Sequence, residues 1–268
     1  LPPPGPFWIE DIILTEHIIV SRTDAYPGVL VIRFNRPDKK NAITAAMYRR
    51  MTAALEQANA DADIKAVVFL GTEGCFSAGN DMADFLSYAQ EAASSGSSEP
   101  PAAAVFIKAL ALAEKPLVSG VDGLAIGIGT TLNLHCDLTV ASGRSLFRTP
   151  FVDLALVPEA ASSLLAPRIM GHQRAFALLA TGEGFSAEAA LNAGLIWKVV
   201  GPNEVEMEAL ALAADLAKKP PQALKIARDL VRGPRDEVLA RIDQELVHFS
   251  AQLKSAEARA AFEAFMQR

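Results

Sequence analysis

The chain has 268 residues, 51% of them hydrophobic, with Asp and Glu outnumbering Lys and Arg by 31 to 25 and a formal net charge of −6. That length suits one α/β core with an appended segment, and since no basic run exceeds two residues, the electrostatic footprint of a nucleic-acid binder is missing. Two cysteines, Cys75 and Cys136, and four scattered histidines show no CxxC, HxxxH or HExxH spacing, which argues against a metal site or a disulfide framework.

No apolar stretch reaches the roughly 20 residues that cross a bilayer. The "LPPPGPFW" start lacks a basic segment followed by an apolar one. A soluble protein of a reducing, cytoplasmic compartment is expected; the Leu start is also compatible with a lost N-terminal targeting piece.

In chain order, the β-branched "HIIVSRT" (17–23) and "GVLVIRFN" (28–35) flank a Tyr-Pro-Gly turn and read as a hairpin. Residues 41–61 place apolar side chains at helical spacing, with Thr44 as N-cap. "KAVVFLGT" (65–72) reads as a buried strand. A second round follows: helix 102–114, strand 115–123, a short helix near 128–134 and strand 136–143. Strands alternating with helices point to parallel pairing with crossover helices.

Between the rounds, residues 87–104 are rich in Ser, Gly, Ala and Pro, which predicts a mobile loop or poorly ordered helix end. Beyond "GLIWKVVG" (194–201) the pattern is helical only: 203–218, 221–232, 236–250 and 254–267. The expected division is a core of residues 1–202 carrying the site and a helical extension of residues 203–268, packed on the core or on a neighbouring subunit.

Three segments hold the chemistry-bearing residues. "GCFSAGNDM" (74–82) is a small-residue turn that lets a ligand approach backbone N–H groups, though an ordinary strand-to-helix turn has the same look. In "VDGLAIGIGTTLNLHCD" (121–137), glycines 123, 127 and 129 lead into a helix whose first N–H groups have no internal partner. The spacing is not GxGxxG, so a dinucleotide fingerprint is not supported, and tight helix packing is the plainer explanation. In "FRTPFVDLALVPEAASS" (147–163), Glu159 follows an apolar run and a proline, as either a helix-start charge or a buried reagent.

Taken with "RFNRPDKKNAI" (33–43), "KPLVSGVDGLAIGIG" (115–129), "CDLTVAS" (136–142) and "ATGEGFSAEAALNAGLIWKVV" (180–200), these segments resemble, in order and spacing, the crotonase superfamily, or enoyl-CoA hydratase/isomerase family. The resemblance runs from about His17 to the C-terminus. It implies an α/β spiral of β-β-α units with a C-terminal all-helical extension, assembled as a homotrimer or hexamer.

The resemblance also implies an acyl-CoA thioester substrate, with no cofactor because coenzyme A is part of that substrate. Two backbone N–H groups would hold the thioester oxygen, matched here to Ala78 and Ile128. Lys40, beside Lys39, suits CoA phosphates, an exposed charged turn being the alternative for either lysine. Ser77, Asn80, Asp81 and Met82 fall around the substrate, Asp81 doubling as a helix cap; Asn133 is a further polar residue near the site.

The positions matching the two hydratase glutamates read Thr131 and Phe151. "LALVPEAASS" is instead similar to Δ3,Δ2-enoyl-CoA isomerases, whose single glutamate falls on Glu159. One carboxylate can perform that 1,3-proton shift in fatty-acid breakdown, as base at C2 and acid at C4. Apolar neighbours would raise its pKa. Asp153 is the rival acid, since in an extended "PFVDLALV" it shares a face with Phe151, its other reading being a solvated or structurally paired Asp. The alternatives are an enoyl-CoA hydratase or other thioester-enolate enzyme, and an acyl-CoA-binding module without turnover.

Overall fold

The β-branched runs of the sequence become strands and the 3.6-period runs become helices in the computed structural model, which describes residues 16–84 and 100–266. In chain order the strands are β1 (Ile18–Arg22), β2 (Val29–Phe34), β3 (Ala66–Leu70), β4 (Cys75–Ser77), β5 (Leu117–Val121), β6 (Leu124–Ile126), β7 (Leu138–Ser142), β8 (Leu146–Arg148), β9 (Phe185–Ser186) and β10 (Lys198–Val200). The helices between and after them are α1 (Ala45–Ala60), α2 (Ala102–Leu112), α3 (Ile128–Thr131), α4 (Ser162–Met170), α5 (His172–Leu179) and α6 (Ala187–Ala193). Four more close the chain: α7 (Val205–Ala217), α8 (Pro221–Arg232), α9 (Arg235–Leu253) and α10 (Ala256–Met266).

The predicted hairpin forms, with Ile18 opposite Phe34 and Arg22 opposite Leu30. A six-stranded sheet of order β1-β2-β3-β5-β7-β10 then grows by parallel pairing, and a four-stranded sheet of order β4-β6-β8-β9 lies beside it. Successive rounds send one strand to each sheet: β3 then β4, β5 then β6, β7 then β8. This is the expected spiral of β-β-α units.

The run 115–123, read as one strand, divides at a corner between β5 and β6. Gly123 makes the corner possible, with φ +77° and a hypothetical Cβ only 1.9 Å from the Gly74 carbonyl oxygen. No larger residue fits there.

Strands β3 and β5 are buried along their whole length, which explains the unbroken apolar sequence of β3; in β5 the buried Ser119 hydroxyl is satisfied by Asn133. One face of the large sheet packs on α1 and α2, where Phe69 meets Phe106 edge to face with centroids 6.5 Å apart. On the other face Val31, Val68 and Val118 pack against Ala209, Leu210 and Ala213 of α7.

Helix α7, the first of the C-terminal helices, thus packs directly on the sheet layer of the core. Thr44 caps α1 as predicted, its hydroxyl accepting the Met47 N–H at 3.4 Å. Residues 87–99 of the predicted mobile loop, and the N-terminal "LPPPGPFW", lie outside the described residues.

Candidate active site

The loop 36–43 and the turn 77–81 are laced together by backbone and side-chain bonds. Asn41, fully buried with φ +53°, sits at the knot. Its Oδ1 accepts the Arg36 N–H at 2.8 Å, and its amide nitrogen donates to Thr72 Oγ1, Cys75 O and Phe76 O at 2.9, 2.9 and 3.2 Å. Ile43 bridges Asn80 in parallel fashion: the Ile43 N–H goes to Gly79 O at 2.8 Å and the Asp81 N–H to Ile43 O at 2.9 Å.

This lacing bears on one of the two expected oxyanion donors, Ala78. The Ala78 N–H is donated to the Lys40 carbonyl at 2.9 Å, so it is engaged within the loop rather than offered to a ligand. The parallel bridge turns the Asn80 N–H away from Ile43, and it has no hydrogen-bond partner among the described residues. The free donor of the "SAGND" turn is thus two residues later than the sequence match placed it. A small-residue turn advertises access but does not show which N–H faces outward.

The other residues expected around the substrate divide into structural and accessible groups. Ser77 is fully buried, its hydroxyl donating to Asn41 O at 2.9 Å and accepting the Gly79 N–H at 3.1 Å, so it shapes the turn rather than facing a ligand. Met82 packs against the main hydrophobic core. Lys40 is exposed, as is Lys39.

Asp81 caps the following helical turn, its Oδ1 accepting the Ala83 and Asp84 N–H groups at 3.1 Å each, while its Oδ2 pairs with Arg36 Nη1 at 2.6 Å. Burial works to raise its pKa, but the Arg36 guanidinium and the capped N–H groups prevail and hold the carboxyl below its ordinary value. Asn133 is buried, donating to Gly129 O at 2.7 Å and accepting from the Ser119 hydroxyl, and so braces the helix.

Ile128 opens α3, where the first N–H groups have no intrahelical acceptor. Its own N–H has no partner among the described residues, whereas Thr130 and Thr131 donate to Gly127 O. The two glycine loops touch: a Cβ on Gly79 would stand 2.9 Å from Ile126 O, and one on Gly127 would stand 4.0 Å from the Gly79 Cα. Residues 80 and 128 therefore follow directly from the point of closest approach.

Three residues along α3 from Ile128, Thr131 donates its hydroxyl to Glu159 Oε1 at 2.6 Å. Glu159 is 6% exposed and lies before α4, not in its first turn. Between them Ala160 and Ala161 take left-handed conformations, with φ +60° and +52°. Such conformations cost an L-residue about 1–2 kcal/mol each and persist where surrounding structure enforces them.

The carboxyl is therefore placed as a buried group, not as a charge on a helix dipole. Burial pushes its pKa up to about 8, with the Thr131 hydroxyl pulling it down and the nearby Glu245 carboxylate adding to the rise.

Glu159 lines a pocket with Ile43, Tyr48, Asn80 and Ile107 and with Leu246, Phe249 and Leu253 of α9. Tyr48 was not singled out by the sequence, where it reads as one more residue of the buried α1 stripe. Its phenol donates to Asn80 Oδ1. Burial, then the nearby Glu159 and Asp84 carboxylates, raises the Tyr48 pKa well above its ordinary value, so it remains a neutral donor. Asp84, also lining the pocket, accepts the Ala45 N–H at 2.7 Å.

Asp153 lies elsewhere. Residues Val152–Leu154 form a 3-10 turn rather than the extended strand that would align Asp153 with the buried Phe151, and Asp153 is exposed and paired with Arg148 at 2.9 Å. Among the described residues, no group of three or more His, Cys, Asp or Glu side chains could hold a metal ion, and no helix is long and apolar enough to cross a membrane.

The geometry agrees with what similarity to known proteins indicates. The family model described as enoyl-CoA hydratase/isomerase matches residues 24–268. Enoyl-CoA delta isomerase 2 of Rattus norvegicus is 37% identical over 81% of this chain, which spans only 56% of that protein's length. The peroxisomal enoyl-CoA delta isomerase 3 of Mus musculus is 32% identical over 86% of this chain and 72% of its own. A solved enoyl-CoA hydratase/isomerase from Pseudoalteromonas atlantica T6c superposes with a TM-score of 0.86 at 37% identity, covering 94% of this chain and 97% of the other. With the spiral fold, the paired glycine loops and these similarities in place, the chain belongs to the enoyl-CoA hydratase/isomerase, or crotonase, family.

Proposed function

We propose that the protein is an enoyl-CoA isomerase that moves a 3-enoyl-CoA double bond to the 2-trans position. The observation that carries this reading is Glu159: a buried carboxyl with a pKa of about 8, bonded among the described residues to Thr131 alone and facing a largely apolar pocket. Asp81 and Asp84 share that pocket, but their oxygens are committed to Arg36 and to backbone N–H groups.

In this reading the acyl chain lies along the apolar wall formed by Ile107, Leu246 and Phe249. The thioester oxygen is held by the N–H groups of Asn80 and Ile128. Glu159, ionised, removes a proton from C2; the electron pair passes to the thioester oxygen, giving a dienolate whose charge falls on those two donors. The protonated Glu159 then delivers its proton to C4 and is ionised again. A pKa near the working pH suits a group that must act as both base and acid.

No cofactor takes part, since coenzyme A is carried by the substrate. Exposed Lys40, on the loop laced to the Asn80 turn, is the basic side chain that this reading assigns to its phosphates.

Water addition to a 2-enoyl thioester is the second reading, because the family description includes hydratases. Thr131 and Phe151 stand where this chemistry would place its two acids, which favours isomerisation. Incubation with 3-enoyl-CoA and, separately, 2-enoyl-CoA thioesters tests the choice by ultraviolet absorbance of the conjugated product. A rise with the 3-enoyl substrate supports the isomerase. A fall with the 2-enoyl substrate and no rise with the first would replace it by hydration, and binding without either change would leave a module without turnover.

A further inference from the structure

The two left-handed alanines that follow Glu159 are held from outside their own segment. On one side the Ala160 carbonyl accepts a hydrogen bond from His135 Nε2 at 2.7 Å. Burial brings the His135 pKa down to about 4, so the ring is neutral, and with a carbonyl as partner Nε2 carries the proton.

On the other side stands Glu245, 5% exposed, from α9. Its Oε2 accepts the Ala161 N–H at 2.6 Å, and its Oε1 accepts the Ser163 N–H at 3.0 Å together with the Ser163 hydroxyl. Arg241 Nη1 donates to that hydroxyl at 3.1 Å, which orients its proton toward Glu245. All three groups facing the Glu245 carboxyl are donors. A carboxylate, an acceptor at both oxygens, satisfies all three; burial pushes the Glu245 pKa up, and the Ser163 and Ala161 donors with Arg241 pull against that rise.

We propose that Glu245 is a positioning residue for Glu159: from the C-terminal helix it clamps the left-handed pair Ala160 and Ala161 and so fixes where the Glu159 carboxylate points. The inference rests on Glu159 as the proton carrier. The same helix lines the pocket through Leu246 and Phe249, the next residue and the one a turn further on. One element therefore shapes the acyl wall and sets the catalytic turn.

Glu245 also acts through charge. The groups facing Glu159 are Thr131 and the neutral His135 from the α3 side, the neutral Tyr48 phenol from α1 and the Glu245 carboxylate with Arg241 from α9; Asp81 and Asp84 lie across the pocket. Of these, Glu245 is the anion that adds to the rise in the Glu159 pKa.

Two variants separate geometry from charge. Glu245→Gln removes the charge and sets an amide N–H2 against backbone donors. Glu245→Asp keeps the charge but withdraws the carboxylate by one methylene.

Steady-state isomerisation of a 3-enoyl-CoA is followed from pH 6 to 9, with circular dichroism to establish folding. Both variants should lower kcat by roughly tenfold or more while KM stays within about threefold, the pattern of a displaced but still loaded site. The midpoint of the rising limb of kcat against pH should move down in Glu245→Gln and stay in place in Glu245→Asp.

Wild-type kcat and midpoint in the folded variants would overturn the proposal. If Glu245→Gln does not fold, kcat of Glu245→Asp decides alone, a wild-type value counting against it. Glu159→Gln is run beside them: wild-type turnover there would refute Glu159 as proton carrier, whereas its inactivity with unaffected Glu245 variants would refute only the positioning role.

Discussion

Thr131 Oγ1 donates a 2.6 Å hydrogen bond to Glu159 Oε1 across 28 residues of sequence, joining the helix that starts at the free Ile128 N–H to the only pocket carboxyl not committed to a cap or an ion pair among the described residues. The bond favours the charged form of Glu159, against the burial that raises its pKa. Replacing Thr131 by Val keeps the shape and removes the donor. The rising limb of kcat against pH should therefore shift upward, and stability should fall by about 1 kcal/mol for the lost buried hydrogen bond. A pH profile and a denaturant titration check both; an unchanged midpoint would mean the bond is absent in the liganded enzyme.

Burial of Glu159 also links stability to pH. Its folded pKa of about 8 lies above its ordinary value of 4.5, so the folded state retains a proton that the unfolded chain releases between those values. The contribution is fully present below pH 4.5 and is lost as pH rises through about 8. Glu159→Gln removes this titration. Its melting temperature should match the wild type near pH 4 and exceed it at pH 9, as thermal scans at the two pH values will show.

The Asn41 side chain accepts from Arg36 within its own loop and donates to Thr72, Cys75 and Phe76 at and before β4, while adopting a left-handed conformation that favours Asn over Ala. Asn41→Ala strands several buried polar groups. A loss of about 2–4 kcal/mol is expected in urea or guanidinium unfolding. A loss below 1 kcal/mol would show that water replaces the side chain.

Helix α8 exposes Ile226, Leu230 and Val231, 51%, 78% and 88% accessible in the single chain. Together with the trimeric habit implied by the family resemblance, this predicts a trimer or hexamer. Light scattering at micromolar concentration should give three or six times the chain mass, and a persistent monomer would refute it.

The sequence discloses the elements whose periodicity is pure. The hairpin, α1 with its Thr44 cap and the four C-terminal helices lie within a few residues of their expected bounds. What it conceals depends on geometry beyond a local window. The three-residue strands β4, β6 and β8 are too short to show an alternation, and only the corner at Gly123 reveals that β5 and β6 belong to different sheets.

The same limit governs the site. Glu159 stands out in the sequence as one carboxyl after an apolar run, but that pattern fits a helix-start charge equally well; the resemblance to the isomerases is what singles it out as the acid. Which N–H of "SAGND" is free was not legible, because that depends on the parallel bridge between Ile43 and Asn80, and Ala78 proves to be engaged with Lys40. Asp153 qualifies as a rival acid in an extended segment, whereas the 3-10 turn over Val152–Leu154 leaves it exposed and paired with Arg148. Glu245 carries no local signal, being one acid among several in a mixed helix.

The most direct test of the account is the Glu159→Gln variant, whose amide is nearly isosteric with the carboxyl. It should bind a CoA thioester with near-normal affinity and lose on the order of 10²-fold or more in isomerisation of a 3-enoyl-CoA, the scale expected on removing a general base. Exchange of the C2 protons with deuterated solvent should fall in parallel, because that exchange needs the base even when C4 is never protonated. Asp153→Asn, measured beside it, should change little, its carboxylate being exposed and paired with Arg148. Near-normal isomerisation and exchange by Glu159→Gln, with activity lost instead in Asp153→Asn, would contradict the account.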